Sequence, residues 1–174
     1  MNDYDHRSKG ARDGRGGVAI RRMTLGDLDQ VLEIERGSFS EPWSRTNFEY
    51  EMLHLDASEL AVAVAGEAVL GYTVTWFLGD EVHLANVAVR ADRRERGVGR
   101  ALVEDVIARA RRSGARRILL EVRESNYEAR NLYDSLGFFQ VGTRRNYYRK
   151  EREDAILMER VLEGGREDGG EGPV

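Results

Sequence analysis

The chain has 174 residues, 41% of them apolar and 33% charged, which suits one domain whose core needs no disulfide or metal staple and argues against wholesale disorder. It has no cysteine, which excludes a disulfide framework, thiolate metal sites and a cysteine nucleophile. A formal charge of −4 argues against general nucleic-acid binding, the longest apolar run (Leu60–Ala65) is too short to cross a bilayer, and the opening MNDYDHRSKGARDGRGG lacks the apolar run of a signal peptide. We therefore expect a cytoplasmic protein with no membrane contact and no direct nucleic-acid contact, as a monomer or weak dimer.

Residues 1–17 are polar and rich in glycine and arginine, and the tail 163–174 is polar and rich in glycine; both read as disordered, leaving 18–162 as the folded domain. Val18–Met23 reads as a strand. Thr24 is placed to cap a helix with Leu25, Leu28, Val31, Leu32 and Phe39 at helical spacing, and Ser44 to cap a second with Phe48, Met52 and Leu55. Leu60–Ala65, a Gly66-Glu67 turn and Val69–Phe77 read as a hairpin, followed by a strand over Val82–Val89. Gly97 to about Arg112 is the clearest helix, with Val98, Leu102, Val106 and Ala110 in one stripe and Gly114 at its end. Ile118–Val122 is a short buried strand. Ser125-x-x-Glu128 matches a capping box ahead of a helix carrying Ala129, Leu132, Tyr133 and Leu136. Phe138–Thr143 and Ala155–Val161 read as closing strands. The order β-α-α-β-β-β-α-β-α-β-β fits an α/β domain in which helices cover both faces of a mixed sheet.

Charge is unevenly distributed. Residues 24–84 hold twelve acids against two arginines, whereas residues 90–117 hold ten arginines against four acids. The basic segment contains the most informative stretch, VAVRADRRERGVGRAL over 87–102: strand, basic loop, two glycines, helix. Unpaired amides and the positive end of the dipole gather at a helix start, and glycine lets a phosphate approach the backbone. With Arg94, Arg96 and Arg100 around the turn, this is a diphosphate cradle. A dinucleotide fingerprint fails because Leu102 stands where its third glycine belongs, despite an acid at Glu121, and a P-loop fails for want of G-K-[ST]. His6, His54 and His83 have no metal-ligand spacing, so no metal site is expected.

Arg94-x-x-Gly97-x-Gly99 after an N-V-A-V strand resembles the acetyl-CoA loop of the GNAT superfamily of N-acetyltransferases, and Asn126-x-x-Ala129-x-x-Leu132-Tyr133-x-x-x-Gly137-Phe138 resembles its second signature. Within that superfamily FSEPWS (39–44), LEVRESN (120–126), RRNYY (144–148) and EDAILM (153–158) resemble the RimI type, ribosomal-protein-alanine N-acetyltransferases. The likeness covers about residues 18–162. Two departures stand out: polar extensions at both ends, and Arg94 where many members carry glutamine.

The resemblance implies the GNAT fold, a single domain with a mixed, mostly antiparallel sheet of about seven strands. It also implies acetyl-CoA as co-substrate and the N-terminus of a ribosomal protein as partner. Val87, Ala88 and Val89 would offer main chain to the pantetheine and thioester, and Glu95, Arg96, Gly97, Val98, Gly99 and Arg100 would hold the diphosphate, with Asn126 a further contact. Glu121 would be the general base and Tyr133 the general acid. Pro42, Trp43, Tyr147 and Tyr148 would border the peptide cleft. An α-amine, with a pKa near ~7.7–8.0 against ~10.4 for lysine, needs only modest help from a base. The acidic 24–84 half would steer a basic peptide. Lysine or small-amine acetylation, and a non-catalytic acyl-CoA-binding module, remain open alternatives.

Overall fold

A computed structural model describes residues 17–54 and 56–162, so the expected terminal arm (but for Gly17), the tail from Glu163 and Leu55, expected on the second helix, lie outside the described residues. The strands are β1 (Ala19–Arg22), β2 (Ser58–Ala65), β3 (Ala68–Leu78), β4 (Glu81–Val89), β5 (Arg117–Arg123), β6 (Phe139–Tyr148) and β7 (Glu153–Val161). The helices are α1 (Leu28–Ser38), α2 (Arg45–His54), α3 (Val98–Arg112) and α4 (Tyr127–Ser135). All seven strands form one sheet in the order β1-β2-β3-β4-β5-β7-β6, antiparallel except for β4–β5.

Helices cover both faces. On one, Val103, Val106 and Ile107 of α3 and Tyr133 of α4 pack with Val82, Leu84, Ile118, Leu120 and Val122. On the other, Leu28, Val31 and Leu32 of α1 and Phe48 of α2 pack with Leu60, Val62, Tyr72, Val74 and Ala88. Being covered on both sides is why β2 and β3 read as nearly unbroken apolar runs.

The feature that shapes the cleft is a wedge in the sheet. Parallel pairing of β4 with β5 spans only Glu81–Leu84 against Arg117–Leu120. Beyond it β4 continues to Val89 held by β3 alone, and β5 to Arg123 held by β7 alone. The register of β4 against β3 jumps from Thr75↔Leu84 to Val74↔Asn86, so Ala85 is the extra residue of a bulge where the strands part. Gly71 keeps β3 close to the diverging half of β4: a Cβ there would lie 2.7 Å from Ala88 O and 3.3 Å from Val89 Cα.

Three local expectations need correction. The first helix does not run from Thr24 through Phe39. Residues Leu25–Asp27 form a 3-10 turn, because the Asp27 carboxylate accepts from Thr24 N–H (2.8 Å) and Oγ1 (2.9 Å), and Leu25 is left half exposed. Ser125 does not cap α4; Asn126 does, its Oδ1 accepting from Ala129 N–H at 3.1 Å. Finally, β6 runs to Tyr148 rather than Thr143. A bulge between Arg144 and Tyr148 absorbs the polar residues, with Asn146 at φ 51° and its N–H on Asp154 Oδ1.

The acidic 24–84 half is less of a surface than its count suggests. Asp27, Glu35 and Glu51 are buried. Asp27 takes a bidentate bond from Arg21 at 2.7 and 2.8 Å, and Glu51 accepts from Ser58 Oγ and Trp76 Nε1. The Arg21 guanidinium, with Thr24, holds Asp27 down at about 2 against the opposing effect of burial.

Candidate active site

The wedge opens onto a cavity of about 440 Å³. One wall is the diverging part of β4 (Val87, Ala88, Val89), and the floor toward α3 is Arg94, Glu95, Gly97, Gly99, Arg100 and Val103. The far wall is Asn126 with Glu128, Ala129, Leu132 and Tyr133 of α4, and the end of α1 closes it with Ser38 and Phe39. A long thin ligand suits this shape, since the lips of the sheet have unspent backbone groups along one side.

The loop between β4 and α3 is shaped for an anion. Glu95 at φ 57° and Gly97 at φ 82° both take left-handed backbone, and a Cβ on Gly97 would meet nothing within 4 Å. Gly97 is the N-cap, no side chain among the described residues caps the helix, and Ala101 N–H to Gly97 O at 3.0 Å is the first backbone bond at that end. The amides of Val98, Gly99 and Arg100 are thus the orphan donors of a 15-residue helix, at its positive end. Arg94 spans the loop, its Nε on Val89 O and its Nη2 on Ser38 Oγ, each at 3.2 Å. Of the expected diphosphate residues, Glu95, Gly97, Gly99 and Arg100 line the cavity. Arg96 is exposed outside it, and the Val98 side chain is buried against Leu70 and Leu102.

Tyr133 lines the cavity from α4, its ring buried beside Phe138 with centroids 5.7 Å apart. Among the described residues its hydroxyl has no hydrogen-bond partner. Burial pushes the phenol well above its ordinary value, so it holds its proton at neutral pH. Glu121 sits just past the last β4-paired residue of β5, Leu120. Since Leu120 and Val122 face α3 and α4, Glu121 faces the α1–α2 side. Its carboxylate pairs with Arg144 Nη1 at 2.8 Å, not with Arg117 or Arg123. It does not line the cavity itself.

The expected peptide-side residues lie outside the cavity lining. Arg123 touches one of them: it lies 4.2 Å from the Tyr148 ring centroid, and it also bonds Ser40 Oγ at 3.2 Å and Glu151 at 3.2 Å. Tyr147 and Tyr148 meet edge to face at 5.3 Å. Pro42 is exposed, while Trp43 is half buried, its ring tilted against Phe48 with centroids 5.4 Å apart and its backbone N–H on Glu35 Oε1. Ala129, Leu132 and Val103 line the cavity although their helical spacing alone marks them as core, and Ser38, Phe39 and Glu128 line it without having been singled out as site residues. Among the described residues there is no group of three metal-ligating side chains, and no helix is long and apolar enough to cross a membrane.

Residues 28–138 match the model of the acetyltransferase (GNAT) family. The chain belongs to the GNAT family. The acetyltransferase is 36% identical over 145 residues to the [ribosomal protein bS18]-alanine N-acetyltransferase of Escherichia coli K12, covering 80% of this chain and 94% of the relative. It is 38% identical over 147 residues to the enzyme of the same name from Salmonella typhimurium, with 80% and 94% covered. A crystal structure of the ribosomal-protein-S18-alanine N-acetyltransferase from Escherichia coli superposes with a TM-score of 0.79 at 33% identity, covering 87% of this chain and 97% of that one. The acetyltransferase is thus of the RimI type, with the seven-stranded GNAT fold expected of it.

Proposed function

We propose that the protein transfers an acetyl group from acetyl-CoA to the N-terminal α-amine of an alanine-initiated ribosomal protein, as its bS18-acetylating relatives are named for doing. The observation that carries the reading is the meeting of three things at one wedge: orphan amides of Val98–Arg100 for a diphosphate, the edge of Val87–Val89 that has no strand partner on the β5 side, and a buried, protonated Tyr133. Acetyl-CoA supplies a thioester carbonyl and a thiolate leaving group. The loop from Glu95 to Arg100, with Asn126 opposite, would anchor the donor. The Val87–Val89 main chain would align its arm and polarise the carbonyl.

Glu121 takes the proton of the attacking amine, directly or through water, as the nitrogen bonds to the carbonyl carbon. Tyr133 gives its proton to sulfur as the carbon–sulfur bond breaks. The Arg144 guanidinium holds Glu121 in place until the substrate ammonium competes for it. Pro42, Trp43, Tyr147 and Tyr148 flank the approach of the peptide.

The test is mass spectrometry of an alanine-initiated basic peptide containing internal lysine, after incubation with acetyl-CoA. Acetyl on the α-amine supports the reading. Acetyl only on lysine, or acetyl-CoA binding without transfer, refutes it.

A further inference from the structure

Glu35 on α1 is 1% exposed and takes no part in the chemistry above. Neutral donors converge on it from three elements. Trp43 N–H, from the loop after α1, reaches Oε1 at 2.8 Å; the Tyr72 hydroxyl of β3 reaches Oε2; Asn86 Nδ2 of β4 lies 3.3 Å from Oε2 and 3.5 Å from Oε1. Burial beside Glu35 pushes the Tyr72 phenol far above its ordinary value, so it stays a donor. A buried acceptor of this kind dictates how the asparagine amide is turned. Its nitrogen faces Glu35, and its oxygen must face away. Among the described residues no donor reaches Asn86 Oδ1.

The strand register places the asparagine itself at the mouth of the wedge, outside the cavity lining. Asn86 follows the bulged Ala85, just beyond the last residue of β4 paired to β5, and directly precedes Val87 of the cavity wall. It lies on the α1–α2 face, as its bonds to Glu35 require. Glu121 is the first residue of β5 beyond the same pairing and lies on the same face. The two therefore occupy opposite lips of the wedge. A primary amine attacking a carbonyl has two N–H groups to place: one delivers its proton to the base, and the other needs an acceptor if the lone pair is to stay aimed.

We infer that Asn86 is an amine-positioning residue whose Oδ1 accepts the second N–H of the substrate's α-amine, and that Glu35 acts through it by fixing the amide's orientation. The inference rests on the α-amine reading above and deepens it: Glu121 receives the proton, and Asn86 sets the attack angle. A glutamine at position 35 offers both a donor and an acceptor, so the Asn86 amide loses its imposed direction.

The experiment is a double-mutant cycle with Glu35→Gln and Asn86→Ala, read as kcat/KM for an alanine-initiated peptide and, separately, KM for acetyl-CoA. Asn86→Ala should lower peptide kcat/KM by about ten- to a hundredfold, the range of a hydrogen bond to a charged or charging group, and leave acetyl-CoA KM within about twofold. Glu35→Gln should lower it by a similar or smaller factor, and the double variant should be no worse than Asn86→Ala alone. Multiplicative losses would mean that Glu35 acts through the fold and would overturn its role. A wild-type rate in Asn86→Ala overturns the inference outright, and that variant carries the test alone if Glu35→Gln does not fold. Wild-type enzyme that acetylates only lysine would refute the α-amine reading instead, so the two failures are separable.

Discussion

Replacing Tyr133 with phenylalanine separates chemistry from packing at this site. The ring is 5% exposed and packs on Phe138, and its hydroxyl bonds no described residue, so phenylalanine keeps the contacts and strands no partner. Stability should change by no more than about 0.5–1 kcal/mol, the scale of a conservative core swap. On the proposed acid role, what disappears is the proton for the departing thiolate. General acid catalysis contributes about 10²–10⁴-fold, so kcat should fall by that factor, equivalent to roughly 2.7–5.4 kcal/mol in the barrier. Acetyl-CoA KM should stay nearly unchanged, because the amides proposed to hold the diphosphate are untouched. The assay is thiol release with an alanine-initiated peptide, alongside thermal unfolding. The wild-type enzyme should also show no alkaline loss of kcat from Tyr133 below pH ~10, since burial raises that phenol above its ordinary value near 10. A Tyr133→Phe enzyme within about threefold of wild-type kcat, with unchanged folding, would refute the acid role.

Other outcomes follow from the same geometry. Gly71→Ala should cost about 1–3 kcal/mol and lower Tm, since its Cβ would press on the Ala88 carbonyl at 2.7 Å; a silent substitution would mean β4 can shift freely. Asp27, held down to about 2 from an unfolded value near 3.8, adds stability that is fully present above about pH 4 and is lost as pH falls toward 2. Allowing for the 44% exposure of Arg21, that is about 1–2 kcal/mol, so the gap in Tm between wild type and Asp27→Asn should narrow as the pH falls below 4. Raising salt should increase peptide KM proportionally more than acetyl-CoA KM if acidic surface steers the peptide, though less than twelve acids would suggest, with three of them interior.

Much of this arrangement was legible in the residues because local chemistry and tertiary role coincide. The α3 stripe, the β2–β3 hairpin and the glycines at 97 and 99 each serve one purpose in helix, strand or turn, and the sequence pattern states it. Legibility failed where a side chain answers to distant partners. Asn126, not Ser125, caps α4, because Ser125 instead donates its N–H to Glu153 twenty-eight residues away. The polar run from Arg144 to Tyr148 continues a strand because Asp154 across the hairpin anchors its bulge. The partner of Glu121 is Arg144 on another strand, and no spacing along the chain announces it. Glu35 and Asn86 are fifty-one positions apart and meet only through the packing of α1 on β4.

The most direct test of the central claim is a crystal structure of the protein with acetyl-CoA. The pyrophosphate is expected on the amides of Val98, Gly99 and Arg100, with the thioester lying in the wedge between β4 and β5 on the Tyr133 side. A donor lodged away from the Glu95–Arg100 loop, or a wedge closed by pairing of β4 with β5, would contradict it.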